Sequence, residues 1–576
     1  MGGIGTEKTA QKRGLTILII VNALFLLLAL FRAMFCIATA DEAFNIGQAL
    51  RTIQGNQYLV ENWDYFQTGD SFLTPFLFVY CKITGSTEGI ILFSRIVFIV
   101  LQLLLSVFIY KILSLFFDRR ASAFAVFIVA TAVQLFLFNM WYDTWEVFFR
   151  LIGLFLIFYV ISSFNKLSCK KALLLVFLAG VSHACMVYAY PTMILVYLSV
   201  AVLLFVYKRK QSAKMHNLYV LFYLLGAVFV FLIFVAYVLK IGYKNLFVFN
   251  EVISKAGLAS TGREGFFSPS SLITNTKLLF TNNLKCYSAA MVVYVLCILV
   301  LLLLKTNQKR VPVILISMVL GSLLLLRYKV TTTLNTSFLM TYLSFYVPPL
   351  YLMIRKDSDR SGHYKDLIAI VMISCYVSGI VYAYTAMYGA YKFACGTRPC
   401  AIIAILLTCE LLKQNSSEKI SKTVFSVLAS ALVAFNVFYM YSYSYEGTAP
   451  YKCTSQIRSG IFKGLFETPE TAQRYETIQR DFPGSCRETD KTITCGPYAM
   501  EFYLMSDLKP NAANLWDPKN TDLLFKYYEN YYGEPDMIVL HDSAAKFTPQ
   551  AFLDFVAEKY QLTEHTDHFL IYHRKT

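Results

Sequence analysis

About thirteen apolar runs dominate this sequence, near residues 15–38, 89–117, 121–138, 145–163, 171–188, 190–207, 217–239, 287–304, 311–326, 337–354, 366–386, 398–412 and 422–442. A helix of roughly 20 apolar residues crosses the ~30 Å hydrocarbon core of a bilayer. The least secure is 398–412, which is short and carries Glu410 near its end. The chain has 576 residues, 57% of them hydrophobic and 15% charged, where soluble chains carry about 25% charged residues. It has too little polar surface to cover a globule in water. The fold expected is a polytopic α-helical membrane protein.

Charge sets the expected orientation. The last 132 residues hold 14 basic and 19 acidic side chains, a net of −5, so the first 444 carry +21. In a polytopic chain such an excess marks cytoplasmic loops rather than nucleic-acid binding. Every second loop is rich in base: Lys8/Lys12/Arg13, Arg119/Arg120, Lys166/Lys170/Lys171, Lys208/Arg209/Lys210/Lys214, Lys305/Lys309/Arg310, Arg355/Lys356/Arg360/Lys365 and Lys413/Lys419/Lys422. An N-terminus inside puts all of these in the cytoplasm and the C-terminus outside, for which a plasma membrane is expected. Ala38-Thr39-Ala40 resembles a signal-peptidase site, but the apolar stretch before it is longer than a signal core, so a retained first helix is expected.

Two loops on the outer side are long, 39–88 and 240–286, and long loops in a compact domain are usually functional. The first opens with apolar residues Ile46, Ala49, Leu50 and Ile53 at helical spacing, with Gly55 as a stop, which predicts an amphipathic helix lying on the outer membrane surface. Residues 445–576 are expected to form a separate small external α/β domain. Thr468-Pro469 and Thr548-Pro549 open helices there with Pro at the first position, and Met537–Leu540 and Phe569–Tyr572 read as strands. The thirteen cysteines show no metal spacing. Cys36, Cys185, Cys297, Cys375 and Cys409 read as small buried hydrophobes, while Cys486 and Cys495 could bridge if the tail faces an oxidising side, with Cys453 left over.

Acids are scarce in the membrane part, so their placement is informative. Six fall in the first outer loop: Asp41, Glu42, Glu61, Asp64, Asp70 and Glu88. Asp41-Glu42 sits where the first span meets water, where a carboxylate can take a proton from an acceptor hydroxyl. It could equally cap a helix and favour its dipole. Asp143 follows at the same membrane face, among Trp141, Tyr142 and Trp145, which read as an interfacial aromatic belt. Bases on the outer side (Lys255, Arg263, Lys277, Arg327, Lys329, Lys392 and Arg398) could bind a lipid phosphate or ordinary headgroups. Arg150 and His183 lie within or near apolar runs, where polar groups usually satisfy one another or line a cavity.

The run Thr39-Ala40-Asp41-Glu42-Ala43-Phe44, with Gly55-Asn56, Gly69, Pro75, Gly180 and Tyr190-Pro191, resembles the GT-C membrane glycosyltransferases, in particular the protein O-mannosyltransferase and aminoarabinose-transferase group. The layout of spans, long outer loops and an external tail is similar too. The resemblance implies an inverting transfer of sugar from a polyprenyl-phosphate donor, with Asp41 as the catalytic carboxylate, Glu42 beside it, and Asp143 as a second acidic residue. The sequence departs from the aminoarabinose transferases before Pro75, where Phe72-Leu73-Thr74 stands in place of a lysine. The donor phosphate is therefore expected at Arg327 or Lys329, with Lys255 and Arg263 as alternatives. No cofactor is implied with certainty, and the carboxylates leave a divalent cation open. Partners would be the lipid-linked donor, membrane lipids and a glycan, lipid or protein acceptor. The competing reading is a transporter or flippase, which requires ionisable residues near the bilayer midplane and paired repeats.

Overall fold

The computed structural model describes residues 3–64, 67–131, 138–246, 269–326, 334–354, 361–385, 390–444, 448–516, 521–541 and 547–575. Each of the thirteen apolar runs falls on a helix. These are α1 (Gly3–Ala33), α5 (Ile90–Leu113), α6 (Arg119–Thr131), α7 (Tyr142–Ser162), α8 (Cys169–Ala189), α9 (Ile194–Val206), α10 (Ala213–Ile241), α11 (Pro269–Leu303), α12 (Asn307–Leu326), α13 (Leu334–Ile354), α14 (Gly362–Thr385), α15 (Lys392–Asn415) and α16 (Glu418–Ser442). Nine helices among the described residues are long and apolar enough to cross a membrane on their own. The chain is a multi-pass membrane protein.

Three expectations are corrected. The run at 398–412 looked short because α15 begins at its polar outer end. Lys392, Thr397 and Arg398 belong to the same continuous helical segment, which lies at the centre of the bundle. Thr397 tolerates burial because its hydroxyl bonds to Thr341 Oγ1 at 2.8 Å. The stretch 240–286 is not all loop, since α11 starts at Pro269, with Asn and Thr diluting its first turns. At 1.5 Å per residue α11 is about 50 Å long and outreaches a bilayer core. The third correction concerns the helix of the first outer loop, α2 (Thr39–Ile53), which does not lie on lipid. Residues 42–51 are all buried, between the bundle and the C-terminal region.

Close helix contact depends on small residues at two crossings. A Cβ on Gly180 would lie 2.1 Å from the Tyr223 carbonyl oxygen, so α8 and α10 touch backbone to backbone. A Cβ on Gly396 would lie 2.5 Å from the Gly379 Cα, which brings α15 against α14 in the same way. The second crossing carries Lys392, one turn away, into the interior.

The C-terminal region holds a five-stranded sheet. Its strands are β3 (Thr492–Cys495), β4 (Lys509–Pro510), β5 (Met537–His541), β6 (Tyr560–His565) and β7 (Phe569–Arg574), in the order β4-β3-β5-β7-β6. β3 runs parallel to β4 and β5, and β7 is antiparallel to β5 and β6. Thr468 caps the helix Pro469–Ser485, accepting from the Thr471 backbone N–H. Pro549 stands at the N-cap of the helix Gln550–Lys559 rather than inside it. A two-stranded ribbon, β1 (Ser455–Gln456) and β2 (Phe466–Glu467), meets the end of the first span. There Phe466 N–H donates to the Met34 carbonyl and Cys36 N–H to the Phe466 carbonyl, at 2.6 and 3.0 Å. Trp63 N–H donates to Ala513 O at 2.8 Å. The hydrophobic core runs without a break from the bundle into this region.

Candidate active site

The site starts from the order in which charge meets the first loop. α2 begins at Thr39 with Ala38 as its N-cap and no side-chain capping bond, so Asp41 and Glu42 stand in the first turn and neither is a cap. Glu42 is 1% exposed and faces Arg95 of α5. Arg95 Nε reaches Glu42 Oε1 at 2.7 Å and Nη2 reaches Oε2 at 2.5 Å, a bidentate fork. The same guanidinium donates to the carbonyls of Ala33, Phe35 and Cys36. Those carbonyls are where α1 ends. Glu42 and Arg95 thus hold the junction of α1 and α2 in one conformation, and Asp41 is presented beside them, half-buried.

Asp143 is buried in the first turn of α7, whose N-cap is Trp141, so it too is no cap. Lys392 Nζ lies 2.6 Å from Asp143 Oδ2. Asp41 lies within electrostatic reach of the same ammonium. The structure therefore pairs Asp143 with a lysine that the sequence offered only as one outer base among several, and leaves Asp41 within electrostatic reach of it. Tyr382 supports the lysine with its ring, 5.9 Å from Nζ, and donates through its hydroxyl to Glu146 at 2.8 Å. Glu146 in turn pairs with Arg150 at 2.7 Å, and Arg150 donates to the Gly396 carbonyl at 3.0 Å. His183 bonds Tyr223 and the Arg150 carbonyl at 2.7 and 3.1 Å. Of the two readings their apolar surroundings left open, Arg150 and His183 take the first: both are hydrogen-bonded structural groups.

Trp141 and Trp145 form no interfacial belt. Both are buried, and Trp145 stacks on Phe149 with centroids 5.7 Å apart. Below α2 a polar network fills the loop. Arg51 binds Asn56, Asn62 and the carbonyls of Glu61 and Ala512, and Gln48 binds Asp64 and Asn62. This network is why the polar face of α2 can be buried too.

Asp70 completes the acidic lining. Gly69 packs so tightly on Tyr142 that an added Cβ would lie 2.4 Å from the tyrosine Cβ, which presses Asp70 against the start of α7. Neither Asp70 oxygen makes a full hydrogen bond among the described residues, and the Tyr142 backbone N–H gives only partial help. Burial pushes the Asp70 carboxyl well above the usual carboxylate range, with the Asp64 and Asp143 charges adding to it. The folded state then holds a proton that the unfolded chain releases near pH 4, so stability falls as pH rises above about 4 toward the raised value. Asp70→Asn removes that loss. Its melting temperature should gain on the wild type as pH is raised from about 5 to 8, and a gap independent of pH would show that Asp70 is not held protonated.

Lys255, Arg263, Arg327 and Lys329 lie outside the described residues. Lys277 is exposed on α11, and Arg398 is buried in the segment that carries Lys392. The acids at this site do not, among the described residues, converge as a three-ligand cluster for one ion. Cys486 and Cys495 are free thiols. Arg95 was missed in the sequence, and Asp70 was read only as one of six acids in the first loop. A lone arginine inside an apolar run was the available signal for Arg95, since buried charge must find a partner.

No protein-family model matches the sequence, and no curated protein does. The solved structures to which the chain is similar include an oligosaccharyltransferase and ArnT. One is the oligosaccharyltransferase AglB from Archaeoglobus fulgidus in complex with an inhibitory peptide and a dolichol-phosphate, at 12% identity and a TM-score of 0.48, over 98% of this chain and 74% of that one. Another is ArnT from Cupriavidus metallidurans, at 11% identity in both states. The TM-score is 0.39 for the apo form, over 96% of this chain and 97% of that one. It is 0.36 for the form bound to undecaprenyl phosphate, over 99% and 98%. At such TM-scores the chemistry of this chain has to be read from its own residues.

Proposed function

We propose that the protein is an inverting glycosyltransferase that moves a sugar from a polyprenyl-phosphate donor to an acceptor outside the cytoplasm. The observation that carries this reading is the Asp143–Lys392 ion pair at 2.6 Å, with the Asp41 charge within electrostatic reach of the same ammonium. Asp41 takes the proton of the acceptor hydroxyl as its oxygen attacks the anomeric carbon from the side opposite the phosphate. The bond from that carbon to the phosphate oxygen breaks, and polyprenyl phosphate leaves. Lys392 meets the negative charge that grows on the phosphate, in a poorly solvated place where a cation counts most. Asp143 holds the ammonium in position. Glu42 acts through Arg95, as a positioning residue.

An apolar cavity of about 290 Å³ lies between α6, α12, α13, α15 and α16, lined by Phe124, Met318, Leu323, Leu339, Ala404 and Phe425. It suits a prenyl chain. Arg327 and Lys329 follow the end of α12 in sequence and are proposed as further donor ligands, with Lys255 and Arg263 in the second outer loop as the alternatives. The orientation follows the basic loops, with the N-terminus inside and residues 445–576 outside, in a plasma membrane. A flippase is disfavoured because the site's acids gather at one end of the bundle rather than along a path through it.

Polyprenyl phosphate is the common product of every such donor, so its binding tests the reading without knowledge of the sugar. Lys392→Met in the purified full chain should weaken polyprenyl phosphate binding about 10- to 100-fold, the worth of one charge-assisted hydrogen bond. Lys392→Arg should recover part of it. Affinity unchanged in Lys392→Met would remove this lysine from the phosphate site, and no binding by the wild type would overturn the donor class.

A further inference from the structure

Cys36 and Cys453 are 417 residues apart in sequence, and their sulfurs are 3.8 Å apart in the fold. Cys453 Sγ is also 3.8 Å from Glu467 Oε2. Ligand atoms of all three side chains lie within 4.8 Å of one another, and all three residues are buried. We propose that Cys36, Cys453 and Glu467 bind a thiophilic divalent cation, zinc by preference, which ties the end of the first span to the ribbon of the C-terminal region.

The spacing suits a metal better than a bridge between the sulfurs. Two thiolates about 2.3 Å from a tetrahedral zinc stand about 3.8 Å from each other, whereas bonded sulfurs stand about 2.05 Å apart. A carboxylate beside both thiols has no purpose in a disulfide and is an ordinary zinc ligand. Glu467 is also held as metal-bound carboxylates are: Oε1 accepts from the Ile37 backbone N–H at 2.6 Å and Oε2 from that of Thr468 at 3.2 Å. The Thr448 carbonyl oxygen, 3.0 and 3.8 Å from the two sulfurs, offers a neutral fourth donor.

Charge and backbone agree with this. Two thiolates and a carboxylate bring three negative charges into a buried place. A divalent ion cancels two of them, and the guanidiniums of Arg32 and Arg95 lie within electrostatic reach of Cys36. Cys36 has φ +67°, in the left-handed region that favours glycine. A cysteine is kept in that conformation only where its surroundings demand it. The ion would sit a few residues before Asp41, so it would brace α2 without taking part in transfer, and its presence does not depend on the transferase reading.

The test uses the full chain purified without chelator or reductant. Elemental analysis should find about one zinc per chain, and X-ray absorption at the zinc edge should find two sulfur neighbours near 2.3 Å. Cys453→Ser should lose most of that metal, and Glu467→Gln should weaken its retention against a chelator about 10- to 100-fold. Replacement by cobalt(II) should give a thiolate-to-cobalt charge-transfer band. The proposal is overturned if the wild type holds no stoichiometric thiophilic metal, or if Cys453→Ser keeps it all. It is equally overturned if peptide mass spectrometry finds Cys36 and Cys453 joined with the loss of two hydrogens. Should Cys453→Ser fail to fold, absorption on the wild type alone decides the matter.

Discussion

Arg95→Ala will lose about 3–5 kcal/mol of stability, the cost of removing one partner from a buried ion pair. Glu42 and Arg95 are both almost wholly buried, at 1% and 4% exposure, and joined by a fork of two hydrogen bonds. The truncation leaves Glu42 charged in a dry place. It also strips donors from the carbonyls of Ala33, Phe35 and Cys36, which turn the chain from α1 into α2. Glu42→Ala will do similar damage by leaving the guanidinium unpaired, while Glu42→Gln with Arg95→Met should be milder than either single truncation, since it removes both charges and keeps volume. The check is the melting temperature and the yield of monodisperse protein in detergent. An Arg95→Ala chain that melts with the wild type would mean that the pair does not hold the junction.

That pair shows where reading a sequence stops. The spans were legible because each is a local event, an apolar run long enough to cross a bilayer, and the helices around Thr468 and Gln550 were legible from their own capping residues. Glu42 and Arg95 stand 53 positions apart, and nothing local joins them. Read in sequence, Asp41-Glu42 was an undivided pair that could serve as base or cap. The fold separates the two, with Glu42 committed to Arg95 and Asp41 left half-buried within electrostatic reach of Lys392. Amphipathic spacing likewise revealed the helix α2 but not its burial, because the network that satisfies its polar face comes partly from Ala512, far along the chain. Lys392 looked like any outer base until the close crossing at Gly379 and Gly396 placed it against Asp143.

The most direct test of Asp41 as the catalytic base is turnover by the Asp41→Asn variant. The purified full chain is supplied with lipid-linked sugars extracted from the cells that make it and with an envelope fraction as acceptor, and release of polyprenyl phosphate is followed by mass spectrometry. Asparagine keeps the size of the side chain and cannot take a proton, so transfer should fall by about 10²-fold or more, while melting temperature and polyprenyl phosphate affinity stay near those of the wild type. Turnover equal to the wild type in Asp41→Asn would contradict the assignment.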